Sequence, residues 1–308
     1  MNQLTQTSDE QSTEVAVAPQ PLKEKSTLSV LLDTLRRLAK QPLGLLGLIL
    51  VSSVIFSALF ASVIAPYDPV ALDIMNRLQG PSSAHWLGTD QLGRDTFSRV
   101  LYGGQIALQV ALSSIALALG FGLLLGLLAG FGPRWLDNLI LTLFDMVRSF
   151  PTIIFALAVV TLTGPSISTI VLVVVVTSIP IYGRVVRTQT QALAQQEFIL
   201  AERAMNASMP RILFKHMLPN VIGQLLILAS MDIPIVITIE AGLSFLGLGI
   251  QPPTPSWGSI INDGYSFIRN TPWPIIAGGL PLIITTLGFT FLGESLRDIF
   301  DPKLRKDV

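Results

Sequence analysis

Charged residues inside the long apolar stretches of this sequence include Asp145, Arg148, Asp232 and Glu240, and a charge in such a place is costly and usually serves a purpose. Asp145 and Arg148 are three residues apart, so they share a helical face and can neutralise each other. Asp232 and Glu240 are eight residues apart, about two helical turns along a similar face. All four are candidates to line a translocation path. For Asp145 and Arg148 the alternative, which we favour, is a structural ion pair. For Asp232 and Glu240 the alternative is helix packing around Pro234, and the two interpretations stay equally open.

Other reactive groups are sparse. The two histidines, His85 and His216, lie far apart in the chain and there is no cysteine, so we expect neither a histidine nor a thiolate metal site. No Gly-Lys dipeptide occurs, which excludes a phosphate-cradling P-loop, and the HExxH and GxSxG patterns are also missing. We therefore expect no catalytic residue, no bound cofactor and no metal in this chain.

The composition is that of a membrane protein. Half of the 308 residues are hydrophobic, 13% are charged and the mean hydropathy is +0.62, whereas soluble domains carry about a quarter charged residues. The formal net charge is zero, so nothing in the total indicates a nucleic-acid partner. We predict an all-α integral membrane protein in contact with lipid.

Six apolar runs are long enough to cross a bilayer as helices. A strand is excluded for the Val/Ile-rich fourth run by its length and its place among other spans. The runs are residues 43–65, 105–132, 135–164, 166–182, 221–249 and 273–293. The sequence thus divides into a tail with a basic flank, of which residues 1–27 are expected to be disordered, a first span with an outer segment, a five-helix core with a coupling loop, and a basic tail. These parts are residues 1–40, 41–104, 105–297 with the loop at 186–220, and 298–308.

Lysine and arginine are distributed unevenly about these spans. With six spans both termini lie on one side, and fifteen cations fall on that side against four on the other. The positive-inside rule therefore places the termini and the polar segment 197–220 in the cytoplasm.

That segment has helical periodicity. Phe198, Ala201 and Met205 recur on one side, and Ile212, Leu213 and Met217 recur after a break at Ser208 and Pro210, which predicts two short amphipathic helices. By spacing alone, the helix pair either packs over its own transmembrane bundle or forms a protruding element to which a soluble partner binds.

The same segment resembles the EAA loop of bacterial ABC-importer permeases, which docks on the ATPase subunit. Leu200 stands where the family has its first Glu, Glu202 where it has the second Ala, and Asn206 where it has Gly; Asn tolerates the left-handed turn that Gly would make. The resemblance implies an ATPase-coupling role for seven residues: Ala201, Glu202, Arg203, Ala204, Asn206, Ala207 and Ser208. Leu218-Pro219-Asn220 completes the motif.

Two further stretches, at residues 85–104 and 240–258, are similar to outer segments of permeases from the dipeptide, oligopeptide and nickel importers, the second to the C-type subunit. Three motifs in the right order and on the right sides make the match specific. It implies a type I ABC-importer permease fold with a cytoplasmic coupling helix, in the bacterial inner membrane. It also implies four kinds of partner: a B-type permease, two ATPases that bind ATP and Mg, an extracytoplasmic substrate-binding protein, and lipid.

The sequence leaves more than one possibility open for the transported solute and for the energy source of transport. Di- or oligopeptides are the default, while nickel, a metal chelate or glutathione suit the same importer type. A secondary transporter driven by an ion gradient through Asp145, Asp232 and Glu240 is a different class of function. It would be expected to show internal inverted repeats, which are not visible in the sequence.

Overall fold

The structure, a computed structural model, describes residues 27–300 and is almost entirely helical there. Twelve helices can be numbered along that part of the chain. They are α1 (Thr27–Lys40), α2 (Pro42–Leu59), α3 (Ala61–Ile64), α4 (Thr96–Phe131), α5 (Arg134–Arg148), α6 (Thr152–Thr163), α7 (Ile167–Leu193), α8 (Glu197–Ala204), α9 (Met209–Arg211), α10 (Leu218–Phe245), α11 (Trp257–Ser266) and α12 (Trp273–Phe300). Single turns of 3₁₀-helix (Ile74–Asn76) and π-helix (Ile212–Met217) complete them.

Five helical stretches of the described chain are long and apolar enough to cross a membrane: α2, α4, α7, Met209–Phe245 and α12. The third predicted span, residues 135–164, differs from expectation. It consists of α5 and α6, which meet at 86°, so the spans number six only if this bent pair counts as one. The bend follows from Pro151, because the residue before a proline is pushed out of the helical conformation and the helix restarts after it.

Helices α4 and α7 form the tightest contact of the bundle. Gly122, Gly126 and Gly130 recur every four residues on α4, and a Cβ at Gly126 would lie 2.5 Å from the Cβ of Val186. Small residues at this spacing let two helix backbones approach closely in a membrane. The facing residues Tyr182 and Val186 are fully buried, so this seam is the centre of the core.

The close approach of α4 and α7 predicts that alanine has different effects on thermal stability at two glycines of α4. Gly126→Ala should lower the thermal unfolding midpoint of the purified protein, because the new Cβ would also lie 2.6 Å from the carbonyl oxygen of Gly183. Gly120→Ala should leave the midpoint unchanged or raise it, because no atom lies within 4 Å of that position and alanine favours the helix. Equal midpoints for the two variants would contradict this account of the seam.

The outer side contains a helix that was not among the six predicted spans. It is α11, which begins at Trp257 with a capping box between Ser256 and Ser259. Trp257 donates its indole N–H to the carbonyl of Val100 at 2.9 Å. Gly258 packs on the backbone of Ala241. The helix therefore ties α10 to the start of α4.

At the amino end, the basic flank within residues 27–40 forms helix α1, which was not among the predicted elements, with Arg37 and Lys40 in its last turn. Residues 1–26 and 301–308 lie outside the described part of the chain. The predicted disorder of residues 1–26 and the predicted basic tail beyond residue 300 therefore stay predictions. Thr27, which the disordered stretch included, is instead the first residue of α1, and residues 298–300 belong to α12.

Candidate functional site

The second half of the coupling segment is continuous with the fifth span. Helix α8 ends at Ala204 and the chain turns, as expected, but the second short helix is not separate: α9 runs through wide π turns directly into α10. The turns widen just ahead of Pro219, which has no N–H to donate and whose ring crowds the preceding turn. A displacement of the segment would therefore be transmitted along α10.

The turn depends on Asn206. Its φ is +56°, a left-handed conformation, as the sequence analysis anticipated for an asparagine in place of glycine. The next amide, that of Ala207, donates to the carbonyl of Glu202 at 3.0 Å and closes the turn.

Hydrophobic residues anchor the segment to the bundle. Ile199, Ile212 and Met217 are at most 1% exposed and belong to the main core. The side of α8 that carries Phe198 and Met205 faces outward instead, with 45% and 70% of these residues exposed. The periodicity therefore identified an apolar face correctly, but that face is left open at the tip of the segment.

Glu202 points into the segment. Its carboxylate lies 3.2 Å from Nε2 of His216 and 3.9 Å from Nε of Arg211, and its side chain is 17% exposed. The neighbouring Arg203 lies 4.3 Å above the ring of Phe131 at the end of α4. Glu202 thus joins α8 to the start of the fifth span.

The structure brings all seven predicted coupling residues into this one protrusion. Five of them are exposed: Ala201, Arg203, Ala204, Asn206 and Ser208. Glu202 and Ala207 are half-buried. The exposed five, together with Phe198, Leu200 and Met205, form a surface that we call the coupling tip.

The predicted pairing of Asp145 with Arg148 is wrong. Asp145 pairs with Arg184 of α7, and just under one turn further along α7 Arg187 donates to Asp137 at 2.7 Å. Packing of α5 across α7 turns both aspartates toward that helix, while Arg148 is the last residue of α5 and lies at the bend. Spacing along one helix could not reveal a partner on another.

Asp232 and Glu240 differ in their surroundings. Asp232 is half-buried and its carboxyl group lies beside the hydroxyl of Tyr182 on α7. Glu240 is fully buried and accepts a hydrogen bond of 2.8 Å from Ser244, whose oxygen accepts from the amide of Ile250 at 3.1 Å. In this structure Glu240 therefore fastens the turn after α10, and its role in a translocation path stays a prediction.

A buried charge cluster on the outer side was missed. Asp90 lies 2.6 Å from Nε of Arg94 and 3.4 Å from Nε of Arg99, and Asp263 of α11 lies 3.4 Å and 3.7 Å from the same two arginines. Beside it, His85 contacts Asp95 at 2.9 Å. The available signal in the sequence was the four-residue spacing of Asp90 and Arg94.

The described part of the chain is thus a bundle of helices of membrane-crossing length that extends a helical protrusion. The chain belongs to the family of inner-membrane components of binding-protein-dependent transport systems, which it matches over residues 122–306. Residues 29–81 match the N-terminal TM domain of oligopeptide transport permease C.

Named relatives cover nearly the whole chain. The dipeptide transport system permease protein DppC of Alkalihalophilus pseudofirmus is 38% identical over 288 residues, 94% of this chain and 95% of its own. The glutathione transport system permease protein GsiD of Pectobacterium atrosepticum is 39% identical over 285 residues, 92% of this chain and 95% of its own. The di/tripeptide permease DppC of Pseudomonas aeruginosa is 36% identical over 265 residues, 84% of this chain and 88% of its own.

Among solved structures, the MetNI methionine ABC transporter in inward-facing conformations contains a chain with a TM-score of 0.54 and 20% identity. The match covers 65% of this chain and 96% of that one, and it shows the fold. These findings confirm the resemblance to C-type permeases and the type I permease fold. The chain is a multi-pass inner-membrane subunit of an ABC importer and not itself an enzyme, in a family whose members work with an ATPase and a substrate-binding protein.

Proposed function

We propose that this chain is the C-type permease of an importer that carries di- or oligopeptides into the cytoplasm. The observation that carries the mechanism is the continuity of the coupling segment with α10, anchored by Ile199 and Met217 and open at its tip. The names of the relatives support peptides as the solute and make glutathione, itself a peptide, the second candidate. Nickel or a metal chelate has no support from ligands, because the chain has no cysteine and only two separate histidines.

The assembly that we propose is a heterodimer with a B-type permease. Two ATPase chains bind ATP and Mg and grip the two coupling tips from the cytoplasm, where both termini of this chain also lie. A substrate-binding protein delivers the solute from the other side. The excess of lysine and arginine on the side of the coupling segment supports this orientation.

Transport then follows from alternating access. Closure of the ATPases on ATP would move the coupling tip, and α9 and α10 would carry the movement as one helix to Asp232 and Glu240. The packing of α10 against α7 would pass it to that helix. The bundle would open outward, receive the solute and return inward after hydrolysis, a rigid-body movement.

The test is a mild-detergent pull-down of the chain from bacterial membranes, followed by reconstitution into liposomes. We expect a second permease and P-loop ATPases to be recovered, and uptake of a dipeptide that requires ATP and the binding protein. Recovery of this chain alone, with uptake driven by an ion gradient, would refute the proposal. It would favour a secondary transporter that uses Asp145, Asp232 and Glu240.

A further inference from the structure

A polar cleft opens where the third span bends. It has a volume of about 320 Å³ and lies between α5, α6 and the middle of α7. Its lining consists of the bend itself and one residue of α7: Val147, Arg148, Ser149, Phe150, Pro151, Thr152 and Thr177.

Arg148 brings an unbalanced positive charge to this cleft. Its neighbour along α5, Asp145, pairs with Arg184, and Asp137 pairs with Arg187. The two carboxylates of α5 therefore form ion pairs with arginines of α7. Within residues 27–300 no acidic group lies within ion-pair distance of Arg148.

The cleft lies at membrane depth. Thr177 is seven residues from Arg184 along α7, about 10 Å further from the cytoplasmic end of that helix. Non-helical backbone such as residues 149–151 is tolerated at such depth only where it is buried or lines a watery cavity. An unpaired arginine there needs the same water or an anion. Backbone and side chain thus indicate one aqueous site.

We propose that this cleft binds the carboxylate of the transported solute. The guanidinium of Arg148 would grip the carboxylate with two parallel hydrogen bonds, the geometry in which arginine exceeds lysine. The hydroxyl of Thr152 would contribute a further donor, and the exposed ring of Phe150 an apolar contact. This inference rests on the proposed function and deepens it, since peptides and glutathione carry a carboxylate and a bare metal cation does not.

The absence of cysteine allows a direct test. In the complete importer, Thr152→Cys places a single thiol of this chain in the cleft, and its labelling by a small thiol reagent can be followed without ATP or binding protein. We expect millimolar alanyl-alanine to slow the labelling and its C-terminal amide to be less effective. Arg148→Gln should raise the half-protecting concentration of the acid about tenfold, with Arg148→Lys intermediate.

The control is Arg134→Gln, which removes an exposed arginine from the other end of α5 and should leave protection unchanged. Thr177→Cys serves as a second reporter if the first variant fails to assemble. Equal protection by acid and amide, no protection by either, or protection unchanged by Arg148→Gln would overturn the site. Protection that persists when ATP-dependent uptake is absent would count against the importer and not against the cleft.

Discussion

Exchange of Glu202 for lysine should abolish ATP-dependent uptake while leaving membrane insertion intact. The carboxylate holds His216 at 3.2 Å and Arg211 at 3.9 Å, so it fixes α8 against the start of the fifth span. Lysine would place a second cation beside Arg211 and replace attraction by repulsion. The coupling tip would then be free to move without α10. We expect at least a tenfold fall in the uptake rate of the reconstituted importer.

Two comparisons locate the cause. Glu202→Gln removes the negative charge without adding a cation beside Arg211, so it should lose much less activity than the lysine variant. Glu197→Lys makes the same charge change at an exposed site on the same helix, at the cost of a few tenths of a kcal/mol from the helix dipole. Uptake that survives Glu202→Lys, or falls equally with Glu197→Lys, would remove Glu202 from the link between tip and span.

The sequence located the spans, apart from the bend in the third, because apolar length and helical period are local properties. Its failure at α8 is instructive. Phe198 and Met205 have the spacing of a buried face, yet Ile199 is the residue that enters the core. A surface that is to be covered by another chain has the composition of a core, so periodicity alone cannot tell the two apart.

The ion-pair partners of charged residues are the second feature that could not be predicted from the sequence. Asp145 and Arg148 have ideal spacing for a pair, but α7 brings Arg184 to the same carboxylate. A contact between helices depends on the packing of Phe144 against Gly183, which no local pattern encodes. The consequence reaches function, since the arginine that loses its local partner is the one that lines the cleft.

Loss of Asp90 from the buried charge cluster on the outer side should strongly lower the thermal stability of the protein. Asp90 is 2% exposed and faces both Arg94 and Arg99, which are 4% and 2% exposed. Asp90→Ala would leave two buried guanidinium groups with Asp263 as their remaining partner. Removal of one partner from a buried ion pair typically costs about 3–5 kcal/mol. The thermal unfolding midpoint of the purified protein should fall markedly.

The cluster joins the outer segment to α11, so its loss should also loosen the outer side before the core. Asp73→Ala is the matched control, because that exposed carboxylate in the same segment bonds to the side chain of Asn76. Adding Arg94→Met to Asp90→Ala should recover part of the midpoint, since one fewer charge is then buried without its main partner. If Asp90→Ala and Asp73→Ala unfold at the same temperature, the cluster contributes nothing to stability. A double variant less stable than Asp90→Ala would show instead that Arg94 acts through Asp263.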